Sequence, residues 1–135
     1  MINYPKWIKP ILFSLDPERA HSLSLKVLET AASIPWIYKW MTADISDLLS
    51  GRKPVIIEHL IFRHPIGIAA GLDKNAQHIE GLGQMGWSHI EVGTVTPKAQ
   101  NGNAKPRLFR LPDSVAIINR MGFNNQGADA VARNI

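Results

Sequence analysis

The chain has 135 residues, a formal net charge of +4, 45% hydrophobic and 19% charged residues, and no cysteine. This composition is typical of a soluble globular enzyme, and the absence of cysteine excludes disulfides and thiolate metal sites. The apolar runs are shorter than the roughly 20 residues that span a bilayer, and none makes a signal-peptide core, so we expect a cytoplasmic start. The five histidines show no metal-ligand spacing, and no metal site is predicted.

The first 43 residues predict a small helical domain. Asp16 followed by Pro17 is a favourable N-cap and first helical position. Apolar residues then recur at helical spacing and form one stripe, made of Ala20, Leu23, Val27, Leu28 and Ala31. The pattern predicts an amphipathic helix here.

Aromatic residues are concentrated in this same region, which holds three of the four tryptophans and both tyrosines. Trp7, Trp36 and Trp40 lie close to lysines, and this combination is typical of a helix in the headgroup layer of a membrane. The alternative is that the rings pack against the rest of the protein. The residues alone do not decide between the two.

Residues 44–53 are polar and predict a linker, and residues 54–62 predict a short hairpin. Beyond it, apolar strands are predicted at residues 66–70, 90–95 and 115–118, as neighbours in a parallel sheet. Each ends in small or polar residues. Gly71, which has no Cβ, and the cation of Lys74 suit a planar or phosphorylated ligand, although a purely structural turn is the alternative.

Positive charge is concentrated between residues 98 and 120, where five cations face Asp113 alone: Lys98, Lys105, Arg107, Arg110 and Arg120. A nucleic-acid site is a poor interpretation, because few aromatics are interleaved with these cations. An anionic small molecule explains the cluster better, and a solvated basic loop is the remaining alternative.

Five runs of sequence resemble the quinone-dependent (class 2) dihydroorotate dehydrogenases. They are LDPERAH at residues 15–21, AAGLDKN at 69–75, EVGTVTP at 91–97, KPRLFRLP at 105–112 and INRMGFNN at 118–125. The resemblance implies an α/β fold, with domain boundaries at residues 1–43, 44–53 and 54–135. The first unit is a helical membrane-associated domain that frames a quinone tunnel, the second a linker, and the third the first strands and helices of an FMN-binding (β/α)8 TIM barrel.

The resemblance also implies roles for individual residues. FMN would contact Ala70, Gly71, Leu72, Asp73, Lys74 and Thr94. The substrate, dihydroorotate or its product orotate, would contact Lys74, Asn119, Arg120, Met121, Gly122 and Phe123. An amide such as Asn119 offers donors and an acceptor to the imide edge of a pyrimidine. The quinone tunnel, for ubiquinone or menaquinone, would include His21 and Arg110.

A complete (β/α)8 barrel needs roughly 250 residues, so we expect the barrel to be incomplete and this chain to be an inactive fragment. The serine base of the family is expected downstream, which leaves no catalytic residue here. The implied activity is oxidation of dihydroorotate in pyrimidine biosynthesis, at the cytoplasmic side of the cell membrane, peripherally. Alternatives are another FMN-dependent barrel oxidoreductase, such as a soluble dihydroorotate dehydrogenase or a dihydrouridine synthase, and a non-catalytic membrane-surface module.

Overall fold

Three helices open the part of the chain that the structure describes. The computed structural model describes residues 4–135, with side chains for all of these except residues 4, 5, 41, 44–47 and 49. A π-helical turn at Tyr4–Ile8 leads into α1 (Lys9–Ser14), and α2 (Pro17–Ala32) and α3 (Pro35–Leu49) follow. The predicted N-terminal domain begins three residues earlier, at residues 1–3, which lie outside the described residues.

The predicted amphipathic helix is confirmed as α2, and its cap is the expected one. The Asp16 carboxylate accepts hydrogen bonds from the backbone N–H groups of Glu18 and Arg19, each at 3.1 Å. These bonds satisfy two N–H groups that a helix leaves free at its start. The next helix continues through Leu49, so it extends into the segment 44–53 predicted as a linker, and the non-helical connection is confined to residues 50–54.

A small apolar core joins these helices to α4 (Ile79–Gln84). Ala31, Ala32 and Tyr38 are buried, and they pack with Leu28, Ile37 and Met85. The hydroxyl of Tyr38 donates to the carbonyl of Gly81, while the Gly81 N–H donates to Glu29 at 2.9 Å. A Cβ on Gly81 would lie only 2.8 Å from Glu29 Oε2. The absence of a side chain there lets α2 and α4 come into contact.

Two antiparallel hairpins account for the four strands of the described chain. The first joins β1 (Val55–Ile57) to β2 (Leu60–Phe62), which confirms the hairpin predicted at residues 54–62. The second joins β3 (Leu108–Leu111) to β4 (Ala116–Asn119) through a 3-10 turn at Pro112–Ser114. Both hairpins expose much of their apolar surface.

The first two predicted parallel segments do lie side by side. Ile68 forms a parallel bridge with Ile90. The N–H of Ile68 donates to His89 and the carbonyl of Ile68 accepts from Glu91, both at 2.9 Å. This pairing brings the ends of the two segments to the same edge, as in a barrel.

The prediction of a third parallel strand at residues 115–118 is wrong. That segment belongs to β4, which pairs antiparallel with β3 in a register that places Leu108 opposite Asn119. The turn at Pro112–Ser114, followed by Val115 at φ 49°, reverses the chain within a few residues. A parallel pair would need a crossover of roughly a dozen residues or more. The last helix of the described chain is α5 (Ala128–Asn134).

Candidate functional site

Lys74 lies in the loop after the first parallel segment, and its side chain bonds to the backbone of that same loop. The Lys74 Nζ donates to the carbonyl of Gly71 at 2.7 Å. Burial lowers the pKa of Lys74, the nearby Arg107 lowers it further, and Glu18 acts in the opposite direction. An anionic ligand beside the ammonium group would offset this loss of solvation. Lys74 is therefore suited to hold a carboxylate or a phosphate.

Asp73 holds the backbone of this loop in place through hydrogen bonds. Its side chain is buried, and its carboxylate accepts from the backbone N–H groups of Asn75 at 3.3 Å, Gln77 at 3.1 Å and His78 at 2.7 Å. Because both oxygens are bonded to the loop, the contribution of Asp73 is to fix the backbone that carries Lys74. Its predicted contact with FMN would come from other atoms of the residue.

Three loops that are far apart in sequence converge on one small cavity of about 160 Å³. Gly71 and Gly93 adopt φ of 103° and 127°, values in the region that favours glycine, and neither carries a side chain into the space. The cavity is therefore open to a flat group that lies directly on the backbone. It is lined by Ala70, Gly71, Lys74, Gly93, Thr94, Gly122, Phe123 and Asn124.

Two larger cavities meet this one at Lys74, which lines all three. One of about 660 Å³ lies between α2, which contributes His21, and the second hairpin, which contributes Asn119. The other, of about 510 Å³, is shared by α2 and the loop that follows Asp73. Met121 and Leu72 line both of these larger spaces. The structure thus joins most of the predicted site residues around a single lysine.

His21 lines both of the larger cavities, where the charge of Lys74 acts on its imidazole. Burial lowers the pKa of His21, and the charge of Lys74 lowers it further, whereas the Leu72 backbone and Asp73 act in the opposite direction. The neutral imidazole is favoured as a result. A neutral histidine is compatible with an uncharged ligand in the 660 Å³ cavity.

Two predicted site residues do not line these cavities. The guanidinium of Arg120 donates to the carbonyl of Pro106 at 3.0 and 3.3 Å and lies 5.8 Å from the ring centre of Phe109. The guanidinium of Arg110 bonds to the carbonyls at the end of α1. Arg120 is thus placed away from Lys74, and Arg110 lies where the helices meet β3.

Three residues outside the predicted FMN, substrate and quinone contacts border the site, and of these only Arg107 had a predicted role, as one of the five cations between residues 98 and 120. Glu18 pairs with Arg107, which is buried although it is charged. Asn124 lines two of the cavities, and its Oδ1 is buried with no hydrogen-bond partner among the described residues. Glu18 and Arg107 are 89 positions apart, a separation at which no local pattern predicts contact. Within residues 4–135 no cluster of metal-binding side chains is found.

Comparisons with known proteins identify the family of the chain. The family model described as dihydroorotate dehydrogenase matches residues 54–135. Over 127 residues the chain is 48% identical to "Dihydroorotate dehydrogenase (quinone)" of Xanthomonas oryzae pv. oryzae, covering 94% of this chain and 34% of that protein. The protein of the same name from Acinetobacter baylyi is 47% identical, with 94% and 35% covered. The chain spans about a third of the length of the curated relatives it matches.

Solved structures place the fold in the same group. The crystal structure of DHODH from Eimeria tenella in complex with ferulenol superposes with a TM-score of 0.69 at 39% identity, covering 92% of this chain and 32% of that one. Its ligand-free counterpart gives the same TM-score at 42% identity, with 88% and 30% covered. The fold is that of a TIM-barrel enzyme, of which this chain forms a part with two small antiparallel sheets. The chain belongs to the dihydroorotate dehydrogenase family.

Proposed function

We propose that this chain supplies part of the active site of an enzyme that oxidises dihydroorotate to orotate and passes the electrons to a membrane quinone. The reaction would serve pyrimidine biosynthesis. The observation that carries the proposal is the convergence on Lys74 of the loop at residues 70–74, Thr94, and the segment at residues 119–123. The names of the relatives support the same reaction.

FMN fits the residues around the small cavity. Gly71 leaves its backbone uncovered, because a Cβ there would have only Lys74 Nζ nearby, at 3.7 Å. A planar ring can therefore approach its peptide groups, and Thr94 adds a hydroxyl. The volume of about 160 Å³ accommodates part of such a ring. When bound, FMN would supply the two-electron redox chemistry, and the protein would supply orientation and charge.

Lys74 and Asn119 would hold the substrate. The ammonium of Lys74 would pair with the carboxylate of dihydroorotate, and the amide of Asn119, in the adjoining 660 Å³ cavity, would bond the imide edge. Met121, Gly122 and Phe123 would complete the wall. In this proposal the residue that abstracts the substrate proton would come from outside these 135 residues, since a complete barrel needs roughly 250. We expect this polypeptide alone to be inactive.

The helices would place the protein on a membrane. Trp7, Trp36 and Trp40 are 63%, 74% and 55% exposed, and Lys6 lies over the ring of Trp7 at 5.1 Å. We expect residues 1–43 to rest on the cytoplasmic face of the cell membrane and residues 54–135 to belong to the barrel. Among the described residues, the structure contains no helix long and apolar enough to cross a bilayer. His21 would then line the path of ubiquinone or menaquinone.

Two other functions remain candidates for the chain. Another FMN-dependent barrel oxidoreductase would share the cavity at Lys74 but would not need the exposed tryptophans. A non-catalytic membrane-surface module would use the tryptophans and leave the cavity empty of flavin. The absorbance spectrum of the purified full-length gene product separates the second from the first, because bound flavin absorbs in the visible range.

A pair of variants tests the assignment of the substrate pocket in the full-length gene product. Asn119→Ala should lower kcat/KM for dihydroorotate at least about tenfold, because buried polar groups of the substrate would be left unpaired. Arg120→Ala is the neighbouring control and should lower it much less, since its guanidinium bonds to Pro106. Equal losses in the two variants, or no quinone-dependent oxidation of dihydroorotate by the wild type, would contradict the proposal.

A further inference from the structure

An ion pair between distant parts of the chain joins α2 to the segment that leads into β3. The Nε of Arg107 donates to Glu18 Oε1 at 2.5 Å, and a second guanidinium nitrogen lies 3.4 Å from Oε2. Lys105 Nζ is 2.7 Å from the same carboxylate. Glu18 lies in the first turn of α2, and Arg107 immediately precedes β3. The carboxylate therefore bonds the start of the helix to the start of the hairpin.

The burial of this pair makes it a rigid contact rather than a surface ion pair. The Arg107 side chain is 9% exposed and that of Glu18 is 14% exposed. The remaining donors of Arg107 reach the carbonyls of Asn101 at 2.6 Å and Asn103 at 2.9 Å. The hydrogen bond from Arg107 lowers the pKa of Glu18, against the effect of burial. Removing one partner of a buried, fully bonded guanidinium costs far more free energy than removing one partner of an exposed guanidinium.

A second arginine bonds to the end of α1, the helix that precedes α2. Arg110, within β3, donates to the carbonyls of Leu12 at 3.1 Å and Leu15 at 2.9 Å, and lies 4.6 Å from the ring centre of Phe13. Carbonyls at the end of a helix have no partner within the helix, and a cation there is favourable. Arg107 and Arg110 thus hold both sides of the turn between α1 and α2.

These contacts lie at the edge of the 660 Å³ cavity. One wall of that cavity is α2, through Glu18 and His21, and the facing wall is the second hairpin, through Leu108, Ile117 and Asn119. Lys105 reaches Glu18 from outside, with 65% of its side chain exposed. The distance between the two walls is therefore fixed where Glu18 meets Arg107.

We propose that Glu18 and Arg107 form a positioning pair that holds α2 against β3 and so sets the width of the cavity for a lipophilic quinone acceptor. The inference rests on the proposed function, because it takes quinone as the occupant of the part of that cavity lined by Glu18 and His21, with dihydroorotate at the part lined by Lys74 and Asn119. Neither residue is a reacting group. The pair acts on the acceptor side of the site, whereas Lys74 and Asn119 act on the dihydroorotate side.

The test is Glu18→Gln in the full-length gene product, with Glu29→Gln as the matched control. Glu29 is also on α2, but it accepts a hydrogen bond from the Gly81 N–H, which a glutamine oxygen can also accept. In Glu18→Gln we expect the KM for a short-chain ubiquinone to rise about tenfold, because a buried charge-assisted contact is lost. The rate of anaerobic flavin reduction at saturating dihydroorotate should change much less than the quinone KM, although loss of the Glu18 charge also lowers the pKa of Lys74. Glu29→Gln should leave both quantities near the wild-type values.

Amide hydrogen exchange gives a second readout that does not depend on activity. Glu18→Gln should speed exchange in residues 9–32 relative to Glu29→Gln, while exchange in α5 stays unchanged. The inference is overturned if exchange and quinone KM both match the control, or if the two half-reactions slow equally. A wild type that dihydroorotate does not reduce would refute the proposed function instead, and the exchange measurement would still decide whether the pair holds α2.

Discussion

Charged side chains in this structure act mostly on the backbone that surrounds the cavities. Asp73 bonds three backbone N–H groups of its loop, and Arg107 bonds two carbonyls as well as Glu18. Lys74 is different, because its one hydrogen bond among the described contacts is to the Gly71 carbonyl within the same loop. Its ammonium still has donors to offer a ligand.

Because Glu18 pairs with Arg107, the free energy of unfolding should depend on pH. Arg107 lowers the pKa of Glu18 below its usual 4.5, so the native protein binds fewer protons there than the unfolded chain does. The stabilisation should be complete above pH 4.5 and lost as the pH falls through the lowered value. The free energy of unfolding of the full-length gene product should therefore differ between wild type and Glu18→Gln at neutral pH, and this difference should shrink as the pH falls below 4.5. Chemical denaturation at several pH values measures it, and a difference independent of pH would contradict it.

Sequence patterns predicted individual site residues where local chemistry was enough. Gly71 and Lys74 were predicted from a glycine and a cation at the end of an apolar segment, and both line the small cavity. The contact between Glu18 and Arg107 could not be predicted, because it depends on how two distant segments pack. Arg120 was predicted to contact the substrate, and it directly follows β4. Its long side chain instead donates to the Pro106 carbonyl.

Predictions of helices and strands were correct where the evidence for them lay within a few residues of sequence. The Asp16 cap and the 3.6-residue periodicity predicted α2, because both act within a few residues. The strand character of residues 115–118 was also correct, but the partner strand was not. An apolar run carries no information about its neighbour, and here the turn at Pro112–Ser114 selects β3.

The contact between α3 and α4 offers a test of packing. The Tyr38 side chain is buried, burial raises its pKa to about 12, and its hydroxyl donates to the Gly81 carbonyl. Tyr38→Phe should lower the free energy of unfolding of the full-length gene product by about 1–2 kcal/mol, because the carbonyl is left buried without a partner. Thr30→Val removes an exposed hydroxyl that bonds within α2 and should change it by less than about 0.5 kcal/mol. Denaturant titration compares the two, and equal effects would contradict the assignment.

The helices should bind a membrane surface through their exposed tryptophans. Adding anionic vesicles to the full-length gene product should shift tryptophan emission to the blue, and salt should weaken the effect by screening the lysines. Replacing Trp7, Trp36 and Trp40 by Phe should remove the shift. Trp87→Phe is the control and should retain it, because the indole N–H of Trp87 is buried. An unshifted spectrum with no cosedimentation at low salt would assign the three rings to protein packing.

At the scale of the whole molecule, the 135 residues leave much apolar surface uncovered. Val115 is 94% exposed, Ile61 75% and Ile117 64%. The parallel pairing between Ile68 and Ile90 also has unpaired edges in the described chain, and such edges associate. We expect the isolated 135-residue chain to form oligomers or aggregates, as measured by light scattering. A monomer with one cooperative unfolding transition and slow amide exchange across residues 66–123 would show instead that this region is self-sufficient.

Anaerobic reduction of the full-length gene product by dihydroorotate measures directly whether cofactor and substrate meet at Lys74. The bleaching of flavin absorbance should be at least about tenfold slower in Lys74→Ala than in wild type, because a charge-assisted bond worth roughly 1.5–3 kcal/mol is lost. Lys98→Ala, which removes an exposed lysine outside the three cavities, should bleach at the wild-type rate. Bleaching of Lys74→Ala as fast as that of Lys98→Ala would show that Lys74 does not contact cofactor and substrate.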